Sequence, residues 1–106
     1  PMEPATFTDA KGRRWHLAFD FNNVRRIKKD LGVDFANVGD GKAFYAMASD
    51  LYIFADVLWI LVERQAATAS VTLDDFGAGM DGDAISQQAA TETTRALETL
   101  GKRSPK

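Results

Sequence analysis

The sequence contains no cysteine and a single histidine, His16, among its 106 residues. Without cysteine it has no disulfide, no thiolate nucleophile and no cysteine-based zinc site. His16 has no second histidine with which to share a metal, and no neighbouring nucleophile suggests a catalytic pair. We therefore expect a protein that is not an enzyme and that needs no metal or cofactor, with His16 as a solvated strand residue.

Long hydrophobic runs and a secretory signal are also missing. The longest apolar stretch, residues 51–62, is interrupted by Asp56 and is shorter than the ~20 residues that cross a bilayer. The opening residues lack the basic start and apolar middle of a signal peptide. Hydrophobic residues make up 45% of the chain, enough for one modest core. These features favour a single domain over residues 1–106, located in the cytoplasm and without a membrane partner.

Residues 5–21 predict a β-hairpin. The DAKG sequence at residues 9–12 is typical of a turn, with glycine where a positive φ is easiest. After the turn, large apolar side chains occupy alternate positions, which is the period of a strand with one covered face. The residues predicted to share that face are Trp15, Leu17, Phe19 and Phe21.

Residues 22–100 predict four to five helices. The first ends at Gly32, presents Val24, Ile27 and Leu31 on one stripe, and is capped by Asn22 or Asn23. The later segments predict a short helix after residue 41, a central helix capped by Ser49, a short helix from Leu73 and a last helix from about Asp83 to Leu100. We therefore predict an α+β fold, mainly α, with the hairpin packed on a helical bundle and residues 101–106 as a flexible tail.

Three acids near the last helix match part of a calcium loop. Asp81, Asp83 and Glu92 fall at positions 1, 3 and 12 of an EF-hand count. However, Ile85 and Ser86 occupy the places where that loop needs an oxygen ligand and a glycine. We interpret the acids as the start of the last helix, with Asp81 or Asp83 as its cap.

Four cations lie within five residues of the first helix: Arg25, Arg26, Lys28 and Lys29. On the exposed arc of a helix they could meet the phosphates of a nucleic acid. No second basic element accompanies them, and residues 32–106 carry eleven acids against six cations. A solvated helix face is therefore the favoured interpretation, with nucleic-acid binding as the alternative.

The middle of the chain is rich in aromatic residues. The apolar stripe of a single helix does not need this many aromatic residues to pack against a core. Aromatic residues and methionine are also common in adaptable protein interfaces. We predict that some of them line a groove that receives an apolar helix from a partner. The candidate partner-binding residues are Phe44, Tyr45, Tyr52, Phe54 and Trp59.

The order and spacing of several segments resemble phage tail assembly chaperones. The similarity extends from Phe7 to Leu100 and includes W-x-L-x-F-x-F, DLGVDF, ADVLWILVERQA and SVTLDDFGAGMDGDAISQQA. The resemblance implies an assembly factor without enzymatic activity in the cytoplasm of a host bacterium. Its expected partners are the tape-measure protein and the tail tube protein, and some members self-associate.

Two alternatives to the chaperone remain at the level of sequence. One is a small DNA-associated regulator that uses the basic helix at residues 24–31. The other is a structural tail or connector protein, such as a tail terminator. Salt-dependent DNA binding would favour the first, and formation of rings would favour the second.

Overall fold

The computed structural model describes residues 5–35 and 41–103. In chain order the elements are β1 (Thr6–Thr8), β2 (Arg14–His16), α1 (Phe21–Leu31), α2 (Lys42–Ser49), α3 (Leu51–Thr68), α4 (Leu73–Gly79) and α5 (Asp83–Arg103). This architecture confirms the predicted α+β class, mainly helical, with an N-terminal antiparallel hairpin.

The hairpin pairs Phe7 with Trp15 at its centre. Both side chains are buried, at 2% and 1% exposure, so the covered face of the strands forms part of the core. The predicted strand was too long at its far end, because Phe21 is 76% exposed and is the first residue of α1. The helix begins there because Asp20, rather than Asn22 or Asn23, accepts a hydrogen bond from the backbone N–H of Asn23.

Side chains from two helices occupy both outer edges of the hairpin. On the β1 edge, the backbone N–H of Thr8 donates to Gln88 Oε1 at 2.7 Å, and that of Thr6 donates to Glu92 Oε1 at 3.4 Å. On the β2 edge, Gln65 accepts from the backbone N–H of His16 and donates to the carbonyl of Arg14. Edge strands with free backbone groups invite pairing with other chains, and these contacts close both edges.

The first helix and the segment after it contribute apolar anchors to the core. Ile27 is fully buried, and α1 ends at Gly32, whose φ of 74° is the left-handed conformation predicted for that position. Val33 and Phe35 follow at 2% and 0% exposure, so the segment after the helix is anchored in the core. The first helix therefore packs mainly through its predicted stripe, against α3.

The central helix α3 supplies much of the core. Its buried residues are Val57, Leu58, Ile60, Leu61, Val62 and Ala66. Asp50 caps it by accepting from the N–H groups of Tyr52 and Ile53, so the prediction of Ser49 as cap was wrong by one residue. Ser49 ends α2 instead, and its hydroxyl donates to the Tyr45 carbonyl. The isolated acid of this helix, Asp56, is exposed.

The last two helices begin as predicted. Thr72 and Asp75 form the capping box of α4, each accepting from the other's backbone N–H. The chain is already helical from Asp83, which contradicts a calcium loop wrapping from Asp81 to Glu92. At the other end, α5 continues past Gly101 to Arg103, so residues 101–103 of the predicted flexible tail are helical. Residues 104–106 of the predicted tail lie outside the described part of the chain.

Candidate functional site: an apolar groove

A groove opens between the N-terminal half of α3 and the last helix. α5 packs against β1 and α2 packs on α3, and the groove lies between these two pairs of elements. The space left between them is a hollow of about 410 Å³. Its described lining consists of Met47, Leu51, Phe54, Ser86, Gln87, Ala90, Thr93 and Thr94.

A second hollow of about 290 Å³ continues the groove toward α4. It shares Leu51, Phe54 and Ser86 with the first, so the two lie side by side. Further along its lining are Ala55, Asp56, Leu58, Leu73, Phe76, Gly77, Met80 and Asp81. Together the two hollows form one surface, which we call the α3–α5 groove.

The two long walls of the groove differ in side-chain size. On α3, Leu51, Phe54 and Leu58 recur at intervals of three and four residues, so they share one face of the helix. On α5, Ser86, Ala90 and Thr94 recur every fourth residue and are small. One wall therefore offers large apolar contacts, and the other lets a second backbone approach closely.

Large apolar side chains at the α2–α3 junction and on α4 are exposed. Tyr52 is 84% exposed, Tyr45 75% and Leu51 72%, while Leu73 on α4 is 56% exposed. Single exposed apolar residues are ordinary, so those that also line a groove are the ones that distinguish a candidate binding surface. Leu51 and Leu73 line the α3–α5 groove, so exposure and concavity coincide there.

The five predicted aromatic anchors have different surroundings. Tyr45 and Tyr52 are exposed, and Phe54 is half-buried and lines both hollows. Trp59 packs toward the core, with its ring centroid 5.6 Å from that of Phe76, and is not among the described lining of the groove. Phe44 lies in α2, but its side chain is outside the described part of the structure.

Sequence reasoning missed the aliphatic and small residues of the groove. Leu51, Leu58 and Met80 carry no aromatic ring, and Ser86 and Ala90 are too ordinary to attract attention. The spacing of Leu51, Phe54 and Leu58 was the available signal, because it marks one face of α3. That signal was hard to see because α3 itself carries apolar residues on nearly every face.

The charges at the groove have one sign. Asp56 and Asp81 line the second hollow, and no lysine or arginine occurs in the lining of either hollow as far as the structure describes it. Both acids are exposed. The groove is therefore apolar in its floor and acidic at one side.

The basic helix is partly neutralised by acids of the same protein. Arg26 bonds to Glu63 on α3 and to Asp30, and the hydrogen bond from Arg26 lowers the pKa of Glu63. Lys28 Nζ lies 3.4 Å from Asp34 Oδ2, so these two residues form an ion pair. Arg25 and Lys29 are exposed. Two of the four cations thus already have acidic partners, which leaves a weak electrostatic surface for phosphates.

Residues 5–35 and 41–103 contain neither a cluster of metal ligands nor a helix that could span a membrane. This part of the chain has no cluster of three or more His, Asp or Glu side chains that could hold a metal ion. His16 is exposed on β2, and its backbone N–H is held by Gln65. No helix in the same ranges is both long and apolar enough to span a membrane.

Comparison with known proteins gave no relative from which a function could be transferred. No protein-family model, curated protein or solved structure matches the chain. Among the described features, the α3–α5 groove is therefore the basis on which a function can be argued.

Proposed function

We propose that this chain is a phage tail assembly chaperone. In this role it binds the tape-measure protein in the cytoplasm of the host bacterium and helps recruit tail tube subunits to it. The observation that supports the proposal is the open α3–α5 groove, with two adjoining apolar hollows and large exposed side chains at its edge. The role is one of binding, and it requires neither a cofactor nor a catalytic residue.

The dimensions of the groove suit an apolar stripe on a partner helix. From Leu51 to Leu58, the α3 wall covers about two helical turns, or ~10 Å, at 1.5 Å per residue. That length accommodates anchor residues spaced three or four apart on a partner helix. A contact of this size gives modest affinity for one copy, so shielding a long helical protein requires many copies bound along it.

Co-expression with the tape-measure protein encoded in the same operon tests the proposal. We expect more soluble tape-measure protein in the presence of this chain, and co-purification of the two. Leu51→Asp should abolish both effects, because it places a charge on the shared lining of the two hollows.

Phe21→Asp is a matched control for Leu51→Asp. Phe21 and Leu51 are each the first residue of a helix after an aspartate cap, and they are 76% and 72% exposed. Phe21 does not line the described groove, so its variant should retain binding. Circular dichroism melts should show both variants folded. Unchanged solubility of the tape-measure protein with and without this chain would contradict the proposal, as would equal loss of binding in both variants.

A further inference from the structure

We propose that the occupant of the α3–α5 groove is a basic amphipathic helix. Its apolar face enters between α3 and α5, and lysine or arginine side chains along its edge meet Asp56 and Asp81. This inference rests on the proposed function, since it specifies the chemistry of the segment that the groove binds. It makes the charge of the partner a condition for recognition.

Two acids beside the groove have no ion-pair partner among the described residues. Asp56 and Asp81 are exposed, line the second hollow, and form no ion pair with the described residues. By contrast, Asp9, Asp20 and Glu63 are each paired with an arginine. Unpaired acids beside an apolar floor favour a partner with positive charge and disfavour one with negative charge.

The shape of the groove favours a helix over an extended segment. An extended peptide gains affinity mainly by adding to a free strand edge. Here Gln88 and Glu92 occupy the β1 edge, and Gln65 occupies the β2 edge. The groove itself lies between helices, and the small residues Ser86 and Ala90 allow the ~8–10 Å separation of packed helix axes.

Synthetic peptides that differ only in flanking charge test the inference. Three helical peptides of about 18 residues, long enough to form a marginal helix, would share one leucine stripe flanked by lysine, glutamine or glutamate. Fluorescence anisotropy at low salt should show that the lysine peptide binds about threefold to tenfold more tightly than the glutamate peptide. Raising the salt to about 0.5 M should shrink that difference, because exposed charges are then screened.

Neutral variants of the two acids locate the effect. Asp56→Asn and Asp81→Asn should each weaken binding of the lysine peptide and leave the glutamine peptide unchanged. Asp30→Asn is the matched control, because it removes the same charge from an exposed pair on α1, away from the described groove. The control should leave all three affinities unchanged.

Several outcomes would overturn the inference. These are equal affinities for the lysine and glutamate peptides, no binding of any peptide, and an equal effect of the Asp30 control. A second copy of this chain in the groove would also overturn it, and would appear in sedimentation as a dimer that Leu51→Asp abolishes and the lysine peptide does not displace.

The same experiments separate this inference from the proposed function. If the lysine preference is observed but the tape-measure protein does not depend on this chain for solubility, the proposed function fails and the charge preference stands. If the tape-measure protein does depend on this chain and the peptides show no charge preference, only the inference fails.

Discussion

The hairpin turn and the α3–α5 groove both place aspartate beside apolar side chains, but the aspartate is buried at the turn and exposed at the groove. At the turn, the side chain of Asp9 is fully buried and accepts from the Trp15 indole, the Arg13 guanidinium and two backbone N–H groups. At the groove, Asp56 and Asp81 face solvent beside open apolar surface. The difference teaches that this small domain uses buried, fully hydrogen-bonded aspartate to hold its turn, and leaves aspartates without a described ionic partner beside its open apolar groove.

The turn is fixed to α4 by two hydrogen bonds and an aromatic contact. Arg13 Nη2 donates to the Asp75 carbonyl at 2.8 Å, and the Ala10 N–H donates to the Gly79 carbonyl at 2.8 Å. The Trp15 ring meets Phe76 edge to face, with centroids 5.2 Å apart. We call this set of contacts the turn–α4 junction. Substitutions there should change the unfolding free energy more than substitutions at the groove.

The largest effect is expected for Trp15→Ala. The side chain is 1% exposed, and its loss leaves a cavity beside Phe76 and removes a donor to buried Asp9, which should cost about 3–5 kcal/mol of unfolding free energy. Urea denaturation measures this. Leu51→Ala is the counterpart at the groove, where 72% exposure predicts a change within about 0.5 kcal/mol. Similar losses for the two variants would remove the distinction between junction and groove.

A smaller effect is expected for Gly79→Ala. A Cβ at this position would lie 2.5 Å from Asp9 Oδ2 and 2.8 Å from Arg13 Nη2, so the junction would have to shift, at a cost of about 1–3 kcal/mol. Gly77→Ala is the matched control in the same helix, because a Cβ there meets nothing within 4 Å. It should raise stability by up to about 1 kcal/mol through better helix propensity. Thermal melts of the two variants should therefore move in opposite directions, and a shift of both in the same direction would contradict the close approach.

The sequence predicted the elements because local patterns specify them. Alternation identified the hairpin, and glycine located the end of α1. The errors were at helix starts: Asp20, two or three residues before the predicted Asn22 or Asn23, and Asp50, one residue after the predicted Ser49, accept the first backbone hydrogen bonds. Neighbouring serine, asparagine and aspartate side chains have similar capping strength, so local sequence does not choose among them.

The groove was harder to predict than the fold. Its walls are brought together by long-range packing: α5 lies against β1, where Thr8 and Thr6 donate to Gln88 and Glu92, and those contacts join residues 80 and 86 positions apart. Nothing local in the sequence indicates such a separation. Aromatic content pointed to the right region of the chain, yet Phe54 is the one predicted anchor that lines both described hollows.

The smallest expected difference between the junction and the groove lies in how the unfolding free energies of Asp9→Asn and Asp56→Asn depend on pH. Burial opposes ionisation of Asp9, but the hydrogen bonds from Trp15 and Arg13 outweigh it and lower its pKa below the ordinary value of 3.8. A carboxyl group whose folded pKa is lowered stabilises the protein fully above the unfolded pKa, and that contribution declines as the pH falls through the folded pKa. At pH 7 we expect Asp9→Asn to cost about 1–2 kcal/mol, because an uncharged amide is a weaker acceptor for these donors.

The difference in unfolding free energy between the original chain and Asp9→Asn should shrink as the pH falls below about 4, since Asp9 then becomes protonated in the unfolded and later in the folded protein. Other carboxyl groups with lowered pKa, such as Glu63 and Glu92, make the whole protein sensitive to acid, and taking the difference removes their share. Asp56→Asn should change stability by less than about 0.5 kcal/mol at pH 7, because this acid is exposed. If the Asp9→Asn difference stayed constant down to pH 2, the buried carboxylate would not hold the junction through its charge, and packing around Trp15 alone would distinguish the junction from the groove.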